Sequence, residues 1–461
     1  MYAKKLISTS LSISSVTVNK KIILGLSSFQ FMAMARRGLF YTFLALYLRI
    51  GLGLSVTATT LLASLTMIMN SSSQAFLWGK ISDKYQARTS LVVIGETIAA
   101  LGYILVYFVH VMLLESSGPT SAAYSIIAGL TLLEFFWSMS NLGWSALISD
   151  LTTSRERGKL MSVISSIGGV GRIVGITVSG VLYNWGGDAA GFKNGVLFYF
   201  ASAIMLVSAF ILWFSTRSLK QSSIIHYEQA MPIRQSQSSK KHNSVIFYWF
   251  LASIFIVGLG IYSILQIFIF YVELDSPIGA TSFDIVMIRN SASAAIIIAS
   301  LLAGTLADKF GRRNALGLGL LLAVITPILY LLARDVTQMI VINSLSGFSM
   351  GLINVVGYLV AADLIPAEYR GKLFGRYNAV TYISFGVAGT FIGGPIADYL
   401  IHVGTTEVMA YVATFQVASG VALAGFILFM LKVKSTQLKL FQSHMSPINE
   451  DRAGTSLTEH A

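Results

Sequence analysis

Cysteine is absent from all 461 residues, which excludes disulfides, thiolate catalysis and cysteine-ligated metal. Charge is scarce as well. Only 11% of residues are Asp, Glu, Lys or Arg, against roughly 25% in an ordinary soluble domain. Also missing are a Gly-rich phosphate loop, an H-E-x-x-H zinc pair and an ordered nucleophile triad, so nothing points to ATP hydrolysis or other enzymatic chemistry on this chain. No cofactor or metal is expected. What is present is apolar: 55% of residues are hydrophobic and the mean hydropathy is +0.72. Crossing roughly 30 Å of hydrocarbon takes about 20 mostly apolar residues at about 1.5 Å each, and the chain has room for many such spans. The fold class is therefore all-α integral membrane, with the lipid bilayer as a partner. Acids are fewer than bases, giving a net charge of +12. That excess sits in loops between apolar runs, so it reads as membrane orientation and not as a nucleic-acid-binding face.

Apolar runs separated by charged or Gly/Pro/Ser clusters give twelve candidate spans. The first six are Ile22 to Leu48, Ser55 to Trp78, Leu91 to Leu114, Ala122 to Ile148, Leu160 to Trp185 and Val196 to Phe214. The other six are Val245 to Val272, Ile285 to Leu306, Ala315 to Ala333, Met339 to Leu364, Leu373 to Leu400 and Val408 to Leu431. The polar stretch Thr216 to Ser244 is too long for a tight connection and reads as a linker. The expected division is a tail over 1–21, a six-helix bundle over 22–215, a linker over 216–244, a second bundle over 245–431 and a tail over 432–461. The first tail is Ser-rich, carries four lysines and has no signal-peptide core. Of the 32 lysines and arginines, Arg49, Lys193 and Arg334 fall on one set of loops, and Arg36, Arg37, Arg172 and Arg289 fall inside spans. The rest lie on the other set and on the tails. By the positive-inside rule, both termini and the linker are expected in the cytoplasm of a multi-pass plasma-membrane protein.

The two halves repeat each other. GKISDKYQAR, Gly79 to Arg88, is matched by GTLADKFGRR, Gly304 to Arg313. DLTTSRERGKL, Asp150 to Leu160, is matched by DLIPAEYRGKL, Asp363 to Leu373. Repeated six-helix halves imply a pseudo-twofold axis along the membrane normal and a site where the halves meet near midplane. On these residues the chain resembles the major facilitator superfamily over about Lys21 to Leu431. The second motif copy carries Gly304, Asp308, Lys309, Gly311, Arg312 and Arg313. The first keeps Gly79, Asp83, Lys84 and Arg88, with Gln86 and Ala87 as departures. The resemblance implies a cytoplasmic latch in which Asp83 and Asp308 cap a neighbouring helix. Anions at helix N-termini gain about 0.3 to 1 kcal/mol, so the physics is sound. The alternative is that these charges only set topology. The resemblance also bears on GRIVGITVSG, Gly171 to Gly180, which partly matches an antiporter run; Ile176 and Ser179 depart from it, and close helix packing explains the glycines equally well.

Charges inside spans cost about 2.5 to 3.5 kcal/mol each and need a reason. Arg36, Arg37, Glu134 and Arg172 fall near the middle of spans one, four and five, where a cluster of Glu134 with Arg172 and one of the two adjacent arginines is expected. Arg36 and Arg37 lie about 100° apart round a helix, so one of them is expected to line the cavity. A structural ion pair tying the three spans together is the alternative. Glu96 could supply a further negative charge. Arg289 is a candidate in span eight, with Asp284 five residues away at a spacing unsuited to a direct pair. Asn141, Tyr262, Gln266 and Asn354 are further cavity candidates, with Gln30, Tyr41, Asn70 and Asn343 behind them. His110 and His402 are placed at the interface.

These features point to secondary transport of a small organic solute by alternating access, coupled to protons or driven by the solute gradient, with a monomer as the expected unit. The excess of arginine ranks a symporter or exchanger of an anionic metabolite ahead of a proton-driven multidrug antiporter. A non-transporting receptor or scaffold on the same fold is the rival of another class.

Overall fold

A computed structural model describes residues 20–85, 87–151, 154–217, 244–274, 278–365 and 370–433. Apolar runs of this length in lipid can satisfy their backbone groups only as helices, and twelve long helical segments result. In the first half these are α1 (Lys20–Leu46, ending in a π-helical turn at Tyr47–Gly51), α2 (Val56–Ser73), α3 (Arg88–Ser117), α4 (Pro119–Leu151), α5 (Ser154–Tyr183) and α6 (Val196–Thr216). In the second half they are α7 (Ser244–Ser263, resumed at Ile267–Glu273), α8 (Ser282–Phe310), α9 (Arg312–Tyr330), α10 (Val336–Leu364), α11 (Arg370–Ala388, continued by Gly389–Gly393 and Gly394–His402) and α12 (Glu407–Lys432). Ten of the twelve are long and apolar enough to cross a membrane by length and composition. The other two, α1 and α2, are the ones diluted by Gln30, Arg36, Arg37, Asn70 and a run of serines.

The packing repeats between halves. α1 packs on α5 and α6, and α7 packs likewise on α11 and α12; α3 pairs with α4 as α9 does with α10. Across the halves, α2 meets α11 and α5 meets α8, a set that maps onto itself when the halves are exchanged. The approach of α1 to α5 depends on glycine. A Cβ on Gly175 would sit 1.9 Å from the Ala35 carbonyl oxygen, and one on Gly171 would sit 2.3 Å from that of Phe31. The run Gly171 to Gly180 thus acts as a packing surface.

Because the helices alternate in direction, Lys20, Arg217, Ser244 and Lys432 share one end, here the terminal end. Four of the six helices that start at the opposite end carry side-chain caps: Ser55 on α2, Thr281 and Asp284 in a capping box on α8, Asp335 on α10 and Thr406 on α12. The opposite end is bolted shut across the halves. Arg49 Nη2 pairs with Glu407 at 2.7 Å. The Asp398 carboxylate of α11 accepts from the Val56 and Thr57 N–H groups of α2, both at 2.8 Å. Asn184 donates to Ser282 at 2.8 Å and Asn290 to Thr177 at 2.9 Å.

The motif segments differ from the loops expected. The chain stays helical through Gly79–Tyr85 after a π-helical turn at Gln74–Trp78, and α8 runs through Gly304 to Phe310. The turn proper is Gly311, at φ +83°, a backbone conformation that glycine adopts without strain. Arg312 pairs with Asp363 of α10, and Arg313 donates to the carbonyls of Met430 in α12 and of Val433 just past its end. Asp308 and Lys309 are exposed, and Asp308 has no hydrogen bond or ion pair among the described residues. Lys84 is exposed and Arg88 donates to Ser82. The Asp83 and Asp150 side chains, most of the linker and most of both tails lie outside the described residues.

Candidate functional site

The charged and aromatic residues of α1, α4, α5, α7, α8 and α11 meet in a cavity between the halves, which α2 also lines with Leu62, Ala63, Thr66 and Met67. Its larger lobe, of about 410 Å³, is lined by Arg37, Glu134, Arg172, Tyr262, Gln266 and Arg289 together with Met34, Tyr41, Met67, Tyr382 and Phe385. A second lobe of about 250 Å³ reaches into the second half, past Phe268, Pro327, Tyr330 and Asn343. Arg172, Tyr262, Leu265, Arg289 and Phe385 line both. The break in α7 between Ser263 and Ile267 falls at this wall and presents Leu265 and Gln266 to it. Interrupted helices at a central site are a feature of transporter architecture.

Glu134 is nearly closed off by α1 and α2. Its Oε2 accepts from Asn70 Nδ2 at 2.8 Å, and Asn70 Oδ1 in turn accepts from Gln74 at 2.6 Å. No ion pair among the described residues joins Glu134 to Arg36, Arg37 or Arg172, so the cluster expected from their common depth is looser than a contact pair. Arg37 instead stacks over Trp137, 4.3 Å from the ring centroid, while its charge faces the larger lobe.

Arg36 requires a correction: it does not line the cavity. One residue of helical rotation turns it into the first half, where it is 1% exposed and donates to Tyr103 at 2.5 Å. Its Nε and Nη2 have no hydrogen-bond partner among the described residues. Glu96, also 1% exposed, accepts from Ser140 at 2.6 Å and lies close enough to attract Arg36. Asn141 is likewise off the cavity wall, because seven residues beyond Glu134 is about 10 Å along α4. Asn354 lines a smaller crevice with Gly258, Tyr377 and Ser384 that adjoins the cavity and shares Tyr262 with both lobes. His110 is not interfacial either. It is wholly buried, between the Tyr47 hydroxyl at 2.8 Å and the Ala122 carbonyl at 3.3 Å.

Sequence reasoning missed the aromatic wall of Phe268, Tyr330, Tyr382 and Phe385, because aromatic residues in apolar spans are indistinguishable from lipid-facing ones without the fold. It also missed Asp398, an acid inside an apolar span that charge counting could have raised.

The sequence pattern of the Major Facilitator Superfamily matches residues 26–288 and 277–447. The chain belongs to the major facilitator superfamily. Among curated proteins it is similar to Multidrug resistance protein 2 of Bacillus subtilis, 28% identical over 274 residues, 56% of this chain and 62% of that protein. It is also similar to Quinolone resistance protein NorA of Staphylococcus aureus, 26% identical over 148 residues, 32% of this chain and 37% of that protein. The matched stretches therefore span less than two thirds of either relative. Among solved structures, nucleoside transporter NupG superposes with a TM-score of 0.65 at 15% identity, covering 90% of this chain and 99% of that one. Peptide transporter POT in complex with sulfate superposes with a TM-score of 0.67 at 12% identity, covering 95% and 99%. At such identities the likeness is of fold.

Proposed function

We propose that the protein is a proton-linked secondary transporter of an amphipathic organic anion, working by alternating access across the cell membrane with its terminal end cytoplasmic. One observation carries this reading: the cavity between the halves offers the guanidiniums of Arg37, Arg172 and Arg289 against the single carboxylate of Glu134, on an otherwise aromatic and aliphatic wall. Arginine presents planar donors that match carboxylate and phosphate oxygens, and the rings accept an apolar body. The clamp of Arg49, Glu407 and Asp398 closes the opposite end, which supports reading this conformation as the one that serves the cytoplasm. Nearby positive charge keeps a carboxylate ionised. A solute anion that takes Arg37 as its partner withdraws that charge from Glu134, so a proton enters with the solute.

A second reading is export of lipophilic solutes by exchange for protons, favoured by the names of the two curated relatives and by Met34, Met67 and the aromatic residues of the wall. The sign of the pH gradient separates the two. In proteoliposomes holding a labelled aromatic carboxylate at equilibrium, an acid exterior should drive accumulation if proton and anion travel together. Accumulation only with an acid interior supports exchange. The absence of any gradient-driven flux or counterflow returns the protein to a non-transporting role.

A further inference from the structure

α6 and α12 line neither lobe of the cavity. α6 packs on α1 and α3, and α12 chiefly on α7 and α9, which leaves each with one face turned away from its bundle. On α6 that face is aromatic toward the terminal end. Val207, Phe210, Trp213 and Phe214 recur at the spacing of one helix face and are exposed, while Leu212, Ser215 and Thr216 are buried on the other. The Phe210 ring lies 6.0 Å from that of Trp213 and 6.3 Å from that of Phe214. Two cations sit on top of this column. Arg217, just past the end of α6, places its Cζ 4.1 Å from the Phe214 ring centroid and 5.9 Å from that of Trp213. Lys21 of α1 places its Nζ 4.8 Å from Phe214. The close approach of the two helices brings it there, since one turn further on a Cβ at Gly25 would lie 1.9 Å from Ser215 Oγ.

The second half repeats the arrangement at the equivalent seam. α7 and α12 close on Gly425, where a Cβ would lie 2.7 Å from the Val257 nitrogen, and about two turns nearer the terminal end Lys432 Nζ lies 5.2 Å from the exposed Trp249 ring. Leu423, Ile427 and Leu431 continue this face as an apolar row. Exposed rings at a membrane interface are ordinary; cations seated on them at the same seam of both halves are a more specific feature. Neither Arg217 nor Lys432 has an ion pair among the described residues, so their charges are left to be matched from outside. A guanidinium lying on a ring keeps its N–H edges available to a phosphate. Seven residues, about 10 Å of helix, separate Arg217 from Phe210, so with the cations at headgroup level the rings stand beside the upper acyl chains.

We infer that the α1–α6 and α7–α12 seams are two sites for the phosphate of an anionic phospholipid, one in each half, with the acyl chains laid along the exposed faces of α6 and α12. Charge selects the lipid. A zwitterionic headgroup carries its own cation beside the phosphate and gains less from Lys21 and Arg217 than phosphatidylglycerol does. The inference is independent of which solute the cavity carries.

Trp213 reports on the first site directly. Its fluorescence is the difference between the full chain and Trp213→Phe, which keeps an aromatic ring, in bilayers holding a small fraction of dibrominated phosphatidylglycerol or dibrominated phosphatidylcholine. One cation beside an anionic headgroup is worth about a fivefold preference, and quenching of Trp213 should favour phosphatidylglycerol by that factor or more. Lys21→Gln with Arg217→Gln should bring the ratio close to one, and Lys21→Arg with Arg217→Lys should retain the preference. Lys84→Gln with Lys309→Gln removes as much charge from exposed positions of the same end and should leave it unchanged. If the first double variant fails to fold, Trp249 with Lys432→Gln gives the same reading in the second half. Equal quenching of Trp213 by the two lipids overturns the inference. So does an equal preference at Trp185, exposed at the opposite end, or one that Lys84→Gln with Lys309→Gln abolishes, because net charge alone would then explain it. A preference abolished by inorganic phosphate at constant ionic strength would assign the cations to a soluble anion, and a Trp213 shielded from both lipids would place a protein partner on this face. Either result also excludes the lipid site.

Discussion

Arg36 and Arg37 show how one position decides a role. Both are arginines at the same depth of α1, yet one is sealed in the first half beside Glu96 and the other faces the cavity. Removing one member of a buried, mutually compensating charge set commonly costs about 3 to 5 kcal/mol, because the other charge is left uncompensated. Arg36→Met should therefore lower the thermal stability of the purified protein sharply, and Arg36→Met with Glu96→Leu should recover most of it. Arg37→Gln should leave stability nearly unchanged and reduce anion exchange. Equal melting temperatures for Arg36→Met and Arg37→Gln would contradict these assignments. Glu134 has a different signature. Glu134→Gln keeps the hydrogen bond with Asn70, since an amide oxygen still accepts, so it should fold, preserve exchange and lose accumulation driven by a pH gradient. Continued gradient-driven accumulation would move the proton site elsewhere. The depth of these charges was legible in the sequence because helix rise is uniform. Their facing was not, since it depends on where each neighbouring helix lies.

At the scale of helices, two devices hold the architecture, and they differ in how well the sequence announces them. The glycines of α5 were visible as a spaced run, and the structure gives the run a partner in α1. Overfilling a packed site typically costs about 1 to 3 kcal/mol and occasionally more. Gly175→Leu should fall at or beyond the upper end of that range. Gly420→Ala in α12, where a new Cβ meets nothing within 4 Å, should leave the melting temperature unchanged or slightly raised. Similar losses for both would mean that the α1–α5 approach is not a tight one. The clamp of Asp398 on the start of α2 was not visible, because it joins residues more than 340 positions apart and neither side forms a motif. Asp398→Asn keeps the shape but removes the anion and one of the two acceptors for the Val56 and Thr57 N–H groups. A charge at a helix N-terminus contributes about 0.3 to 1 kcal/mol, rising to about 2 when partly buried, so the closed population of the opposite end should fall by up to about thirtyfold. Alkylation of a cysteine placed at Thr66 by an impermeant reagent from the outer side should accelerate accordingly. An unchanged rate would mean that Arg49 and Glu407 hold that end without Asp398.

For the molecule as a whole, the order of twelve spans and the repeat between halves could be read directly, because a bilayer permits few solutions for long apolar runs and because the motif copies fall at equivalent helix junctions. Orientation rests on a different kind of inference, the distribution of lysine and arginine. Only Arg49, Lys193 and Arg334 fall on the loops at the opposite end, while the terminal end carries the motif loops, the linker and the tails with nearly all the rest. Translocating basic residues is resisted during insertion, which is the ground for the proposal that the end gathering them is cytoplasmic. Two of the three exceptions are also accounted for locally: Arg49 is engaged by Glu407, and Arg334 stands beside the start of α10, whose cap residue Asp335 is acidic. If this orientation holds, a cysteine at Ser238 in the linker should resist an impermeant maleimide in intact cells and react after permeabilisation. One at Ser117, the last residue of α3, should react in intact cells. The native chain supplies no background thiol, so each signal belongs to the introduced residue alone. Reaction of Ser238→Cys in intact cells together with protection of Ser117→Cys would invert the molecule. The Asp398 clamp would then face the cytoplasm, and the conformation described here would be open to the outside.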